Sequence, residues 1–247
     1  MNKYNFTEGR YIVVFDLGGT LVDEAMPELK ALPKALIEKT GMDEKSLTQL
    51  LYYGIDQLMK ENFRLSDDQI PASTILQNTL DHFKLNISLE ILEEVAWQLF
   101  GGAETTYLTP LEGARELLKD LKESGGEIIA LSNTAIPKSL LNKVFETHQL
   151  GGYFDEIILS SECGWRKPSS NVFKQLEETI NLTPKDFVLF VGNSYEADML
   201  PAINRGYKTV YIGNNNLALN SIPMPTFSVD SLDKLIDLMP HRKADLW

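Results

Sequence analysis

The sequence predicts an α/β protein, a parallel sheet flanked by helices, with an all-helical segment inserted after the first strand. Three observations carry that expectation. Tyr11, Ile12, Val13, Val14 and Phe15 form a continuous run of β-favouring apolar residues, the pattern of a strand buried on both faces. Over roughly residues 23–102, apolar residues recur at helical spacing with no strand between them. From Thr109 onward, short apolar runs alternate with helical patterns, which indicates βαβ units and a parallel sheet.

The first ten residues are polar and read as a lead-in. After Phe15 come Asp16, Leu17, Gly18, Gly19, Thr20 and Leu21. The glycine pair predicts a turn. Asp16 is left at the carboxyl end of a central strand, where open α/β sheets place ligand sites. An ordinary Asx turn accounts for Asp16 equally well at this point. Pro27 opens a first helix through Leu29, Leu32, Leu36 and Ile37, and Gly41 closes it. Asp43 caps a second, with Leu47, Leu50, Leu51, Ile55, Leu58 and Met59 on one stripe. Pro71 begins a third through Ile75, Leu76, Leu80 and Phe83, and Ile91, Leu92, Val95 and Leu99 mark a fourth behind Ser88. Four helices in a row read as a cap. The core is expected over 1–22 and 103–247, and the cap over 23–102. Most of Tyr52, Tyr53, Phe63, Trp97 and Phe100 are expected to pack between cap helices rather than to line a pocket.

The second half reads as a helix over 110–123, a strand over 127–131, a helix over 137–148 and a strand over 156–159. A helix over 169–180, a strand over 187–191, a helix over 196–204, a strand over 209–212 and a terminal helix over 231–239 follow. Residues 213–225, rich in Asn and Pro, read as a surface connection.

Composition narrows the function. The 247 residues suffice for one large α/β domain or a core with a smaller companion, and an apolar fraction of 43% is ordinary for a globular chain. A net charge of −12 argues against nucleic acid or an anionic membrane as a partner. It also means that a phosphate-bearing ligand needs a local cation. With Cys163 alone no intramolecular disulfide forms, which fits a reducing compartment. The sequence shows no signal pattern and no apolar span of membrane length, so a soluble cytoplasmic protein is expected.

Four strand ends carry polar residues: Asp16 and Thr20; Ser132, Asn133 and Thr134; Arg166, Lys167 and Pro168; and Gly192, Asn193 and Ser194 with Asp198. Taken singly, Ser132 and Asn133 read as a helix cap and Asp198 as a polar residue on an exposed helix face. In this order, at strand ends, they resemble the haloacid dehalogenase superfamily of aspartate-nucleophile hydrolases and phosphotransferases. The resemblance spans almost the whole chain, the helical cap after the first motif included. It implies a Rossmann-like sheet core and a Mg²⁺-dependent hydrolase or transferase, of the phosphoric monoester type, acting on a small phosphorylated substrate. On that resemblance Asp16 attacks phosphorus and forms an aspartyl-phosphate, a known carboxylate route. Thr20, Ser132 and Asn133 hold the phosphoryl oxygens, and Lys167 pairs with Asp16 and the phosphoryl group. Asp16, the Gly18 carbonyl, Asn193 and Asp198 offer oxygen ligands to the metal.

Two positions depart from the family pattern. Family phosphatases carry a second aspartate two residues after the nucleophile, which protonates the leaving group and then activates water; here Gly18 stands in its place. Losing a general acid–base costs about 10²- to 10⁴-fold in rate, unless Glu24 or Glu196 substitutes. Asn193 replaces a usual aspartate, keeping an oxygen but lowering the charge on a metal. Two other readings stay open. One is phosphonate cleavage through a Schiff base on Lys30, Lys34 or Lys39; the other is a binding protein that does not turn its ligand over. Dehalogenases resemble the chain less, since they carry an aromatic residue at the Gly18 position.

Overall fold

A strand with no polar face must be covered on both sides, and β1 (Tyr11–Phe15) is. Residues Ile12, Val13, Val14 and Phe15 are fully buried. Tyr11, Val13 and Phe15 enter one apolar core while Ile12 and Val14 enter another, the alternation of a pleated strand. The computed structural model describes residues 9–25, 37–38, 40–62, 64, 66–85, 88, 90, 108–213 and 222–239. After β1 come β2 (Val22–Glu24), α1 (Glu44–Asn62), α2 (Ala72–Phe83), β3 (Leu108–Pro110) and α3 (Ala114–Glu123). Then β4 (Glu127–Ser132), α4 (Lys138–Thr147), β5 (Glu156–Leu159), α5 (Ser160–Cys163), α6 (Ser170–Thr179) and β6 (Phe187–Gly192) follow. A π-helical turn (Tyr195–Met199) runs into α7 (Leu200–Ile203), and β7 (Lys208–Ile212), β8 (Phe227–Val229) and α8 (Leu232–Leu238) close the described chain.

Six strands form one parallel sheet in the order β5-β4-β1-β6-β7-β8. This is the expected α/β, Rossmann-like sheet flanked by helices. The chain builds outward from β1 through β4 to β5, then returns to add β6, β7 and β8 on the other side. The direction of building therefore reverses at β1, and the carboxyl ends of β1, β4 and β6 border a crevice of the kind that binds ligands.

Several boundaries differ from the sequence reading, each for a local reason. Val22–Glu24 pairs antiparallel with Leu108–Pro110, Glu24 opposite Leu108. These three-residue strands are too short to show a period of two. Pro110, expected to open a helix, lies in β3, and α3 begins at Ala114 after Gly113 turns the chain with a φ of 81°. β8 was also not anticipated, for the same reason of length. The helix expected over 196–204 opens as the π-helical turn, where Ser194 O accepts from both the Asp198 and Met199 amides.

Two of the four expected cap helices fall within the described residues. Asp43 Oδ1 accepts from the Ser46 amide at 3.0 Å and caps α1. Leu47, Leu50, Leu51, Ile55 and Leu58 are buried against Ile75, Leu76 and Leu80 of α2. Phe83 departs from its expected stripe: it is 36% exposed and sits edge-on to Tyr53. Tyr52 is exposed rather than packed. Of the helix expected from Pro27 the end is described: Ile37, Glu38 and Thr40 are helical, and Gly41, at a φ of 64°, closes it as expected, its amide donating to Ile37 O at 3.0 Å. The rest of that helix, the stripe expected behind Ser88, the lysines Lys30, Lys34 and Lys39, and Phe63, Trp97 and Phe100 lie outside the described residues. Among the described residues no helix is long and apolar enough to cross a membrane.

Candidate active site

The turn after β1 is set by its hydrogen bonds. The Asp16 amide still donates to Val191 O of β6 at 2.9 Å, so Asp16 occupies the last rung of the sheet. Leu17 O then accepts from the amides of Thr20, Leu21 and Val22 at 2.9 to 3.1 Å, and Gly19, at a φ of 69°, closes the loop. Thr20 is thereby folded back, and its hydroxyl donates to Asp16 Oδ2 at 3.0 Å.

Beside it, β4 ends in buried Ser132. The Asn133 amide group donates to Lys167 O at 2.9 Å and accepts from Lys167 N at 2.7 Å, two bonds that imitate a strand pair and pin the loop after α5. Lys167 is thus delivered between two carboxylates. Its Nζ lies 2.6 Å from Asp16 Oδ1 and 2.6 Å from Asp198 Oδ1, with all three side chains at most 9% exposed. Asp198 comes from the π-helical turn after β6, and its second oxygen accepts from the Ser194 amide at 3.0 Å.

One ammonium between two buried carboxylates is a strongly coupled arrangement. Burial alone would discharge Lys167; Asp16 and Asp198 outweigh it and hold its pKa above the ordinary lysine value. Burial, with the charge of Asp16 behind it, raises Asp198 against the pull of Lys167. Glu24, on β2, completes the acidic group. Burial first, then the charges of Asp16 and Asp23, push its carboxyl up to about 7 despite the opposing effect of Lys167.

These groups open onto a cavity of about 570 Å³ whose lining includes Asp16, Gly18, Glu24, Ser132, Asn133, Lys167, Asn193 and Asp198. The segment after α1 supplies Arg64, Ser66 and Asp67 to its other side. Five lining side chains are carboxylic acids and three are cations, so the cavity favours a cation. The segment is fastened to the strand ends. Gln69 Oε1 accepts from Ser160 Oγ at 2.8 Å and from Arg166, Gln69 N donates to Gly164 O at 3.0 Å, and Arg166 N donates to Asp67 O at 2.8 Å.

The family model of the haloacid dehalogenase-like hydrolases matches residues 12–206. The chain belongs to that family. Two curated relatives are similar over much of its length. The phosphoglycolate phosphatase of Aquifex aeolicus is 26% identical over 237 residues, 93% of this chain and 97% of that protein. The pyrimidine 5'-nucleotidase YjjG of Escherichia coli is 31% identical over 157 residues, 63% of this chain and 66% of that protein. Among solved structures, a HAD phosphatase from Thermococcus onnurineus superposes with a TM-score of 0.57 at 20% identity, covering 92% of this chain and 97% of that one. The 2-haloacid dehalogenase of Pseudomonas syringae gives 0.60 at 15% identity, covering 93% and 97%. Phosphatases and dehalogenases share this fold, so the choice between the two chemistries rests on the site.

The structure brings Asp16, Gly18, Ser132, Asn133, Lys167, Asn193 and Asp198 to one cavity. Thr20 is fully buried, with its hydroxyl on Asp16. The Asn133 amide acts on the Lys167 backbone. Asn193 Nδ2 donates to Gly18 O at 3.1 Å. Arg64, Ser66 and Asp67 carry no sequence signal for the site. They arrive through contacts between segments about 100 residues apart, such as Arg166 with Asp67.

Proposed function

We propose that the protein is a Mg²⁺-dependent phosphatase-type enzyme, a phosphoric monoester hydrolase or transferase, that works on a small phosphorylated metabolite through an aspartyl-phosphate on Asp16. The observation that carries this reading is the Lys167 ammonium held between Asp16 and Asp198 at the floor of the cavity. An ammonium there pairs with the attacking carboxylate of Asp16, and it meets the charge of an incoming phosphoryl group in an otherwise acidic cavity. Ser132, which lines the cavity, donates to a phosphoryl oxygen in this reading. Thr20 and Asn133 act one step back, Thr20 fixing the orientation of Asp16 and Asn133 that of Lys167. Relatives named for phosphoglycolate and for pyrimidine nucleotides support a small phosphorylated substrate, and 570 Å³ suits one.

The donor set fits Mg²⁺. Among the described residues no group of three or more Asp, Glu, His or Cys side chains is arranged to hold a metal ion by itself. Mg²⁺ instead takes one or two carboxylates together with waters and substrate phosphate. Asp16, Gly18 O and, with its amide turned over, Asn193 Oδ1 would hold it. Asp198, already engaged by Lys167 and Ser194 N, is the least direct of the four expected ligands. When bound, the cation supplies positive charge to the phosphoryl oxygens. We place the core at 1–22 and 103–247 and the cap at 23–102, with the chain crossing between them on the β2–β3 pair. A cytoplasmic setting goes with this reading, supported by the single Cys163.

Asp16→Asn tests the reading. It is expected to abolish phosphate release from ester substrates while leaving the melting temperature near that of the wild type, and retained turnover would remove Asp16 as nucleophile. Calorimetric titration with Mg²⁺ tests the metal separately. Asn193→Asp restores a charged oxygen and is expected to tighten binding; equal or weaker affinity would remove Asn193 from the ligand set.

A further inference from the structure

Gly18 leaves a space that another residue fills. An ideal Cβ built on Gly18 would lie 2.5 Å from Glu24 Oε1 and 2.7 Å from the Glu24 carboxyl carbon. Real Cβ atoms essentially never come so close to a neighbouring atom, so the volume into which a side chain at position 18 would project holds the Glu24 carboxyl. Glycine at 18 is what lets it lie there. The placement follows from β2: the chain leaves the Asp16 loop, pairs with β3, and thereby brings Glu24 back beside the loop.

Glu24 also differs from the other acids of the cavity. Asp16 and Asp198 both hold Lys167, and Asp67 and Glu196 are exposed. Glu24 is half-buried and lines the same cavity as Asp16, and its carboxyl makes no hydrogen bond or ion pair among the described residues. An acid at the reacting end of the cavity whose carboxyl is not engaged by any other described residue is available to a ligand.

We propose that Glu24 is the general acid and base of the reaction at Asp16, its carboxyl standing where a side chain at position 18 would otherwise stand. This rests on the aspartyl-phosphate reading. In the first step an Asp16 oxygen bonds to phosphorus as the bond from phosphorus to the ester oxygen breaks, and the Glu24 carboxylic acid gives its proton to that oxygen, releasing an alcohol. In the second step water attacks the phosphorus of the aspartyl-phosphate, Glu24 takes a proton from it, and the bond to Asp16 breaks. Inorganic phosphate leaves, Asp16 is ionised again, and Glu24 is protonated as at the start.

The test uses the full chain with Mg²⁺, an alkyl phosphate and p-nitrophenyl phosphate. Glu24→Gln keeps the size of the side chain and removes the proton transfer. Turnover of the alkyl ester is expected to fall by about 10²- to 10⁴-fold. Nitrophenolate leaves without a proton, so this variant is expected to release a burst of it equal to the enzyme present, then slow as the aspartyl-phosphate persists. Moving the carboxylate supplies the second arm: Gly18→Asp combined with Glu24→Ala is expected to hydrolyse the alkyl ester faster than Glu24→Ala alone. If Glu24→Gln hydrolyses the alkyl ester at the wild-type rate while Asp16→Asn is inactive, Glu24 has no such role and Asp16 keeps its own. Equal slowing of both esters without a burst would assign Glu24 to the structure of the loop and overturn the proposal. Activity in Asp16→Asn would remove both readings.

Discussion

The two ends of β1 carry the same charge arrangement in different surroundings. At the amino end, Arg10 bonds to Asp186 at 2.8 Å and to Glu127 at 3.1 Å, one cation between two carboxylates. At the carboxyl end, Lys167 does the same between Asp16 and Asp198. At the amino end the cation is open to water, with the Arg10 and Glu127 side chains 40% and 28% exposed although Asp186 is buried, and Arg10 further donates to the Ile180 and Asn181 carbonyls. The carboxyl-end set is enclosed. Water screens the first, so its loss is tolerable. The second has given up its hydration, and only mutual neutralisation offsets that cost. A fold that needed only to staple strands together would use the first kind. The enclosed kind, opening onto a cavity, keeps a charged nucleophile ready, which is the purpose the proposed function gives it.

The largest effect should follow from removing Lys167. Lys167→Met preserves much of the volume but leaves two buried carboxylates facing each other. Breaking a buried pair in this way costs about 3–5 kcal/mol, read as a fall in the denaturation midpoint, and phosphate release should be lost with it. Adding Asp198→Asn removes one of the stranded charges while keeping an oxygen for the Ser194 amide. The double variant should therefore regain much of the stability but none of the activity. If the two substitutions destabilise additively, the charges are not coupled as the distances indicate, and the contrast between the ends of β1 fails.

A smaller effect should come from the attachment of the helical pair to the strand ends. Gln69 is buried, accepts from Ser160 and Arg166, and donates to Glu61 Oε1 at 3.0 Å. Gln69→Leu fills similar space without those bonds and leaves partners unsatisfied, at a cost of about 1–3 kcal/mol. The substitution does not reach Asp16 or Lys167, so the midpoint should fall and the Michaelis constant should rise while the chemical step is kept. A change in the rate of that step, with the Michaelis constant unmoved, would show that the segment shapes the reacting groups themselves.

Much of this was legible in the sequence because it is local. A continuous apolar run, the helix stripe behind Asp43 and the strand-end placement of Asp16, Ser132 and Lys167 each follow from a few adjacent residues. The order of these motifs then placed them at one crevice. What was not legible depends on pairings that leave little or no local pattern. β2, β3 and β8 have three residues each, and the bond between Gln69 and Ser160 joins positions 91 apart in sequence. Gly18 lies between the two cases. The sequence shows a missing carboxylate and offers Glu24 or Glu196 as a substitute; the fold puts the Glu24 carboxyl, not that of Glu196, against Gly18.

The smallest effect, and the sharpest test of the contrast, lies at Arg10. The Arg10 hydrogen bonds outweigh burial and, with the backbone amides of Arg10 and Thr183, hold the Asp186 carboxyl well below the usual carboxylate range. A carboxyl with a depressed folded-state pKa adds stability above its unfolded value of about 3.9, and that stability is lost as pH falls through the folded value. Arg10→Ala removes the side-chain part and leaves the two amide bonds. Because Arg10 is partly in water, the loss at pH 7 should be about 1 kcal/mol, several-fold less than for Lys167→Met. The difference between variant and wild type should hold steady from pH 7 to about pH 5 and narrow as pH falls below about 4, when Asp186 becomes protonated first in the variant's folded state. Added salt should shrink it as well, since exposed charges are screened. Denaturation midpoints measured across that pH range, at low and high salt, decide the matter. A loss as large as that of Lys167→Met, or one indifferent to salt, would mean that the amino end of β1 is no less enclosed in its energetics than the carboxyl end.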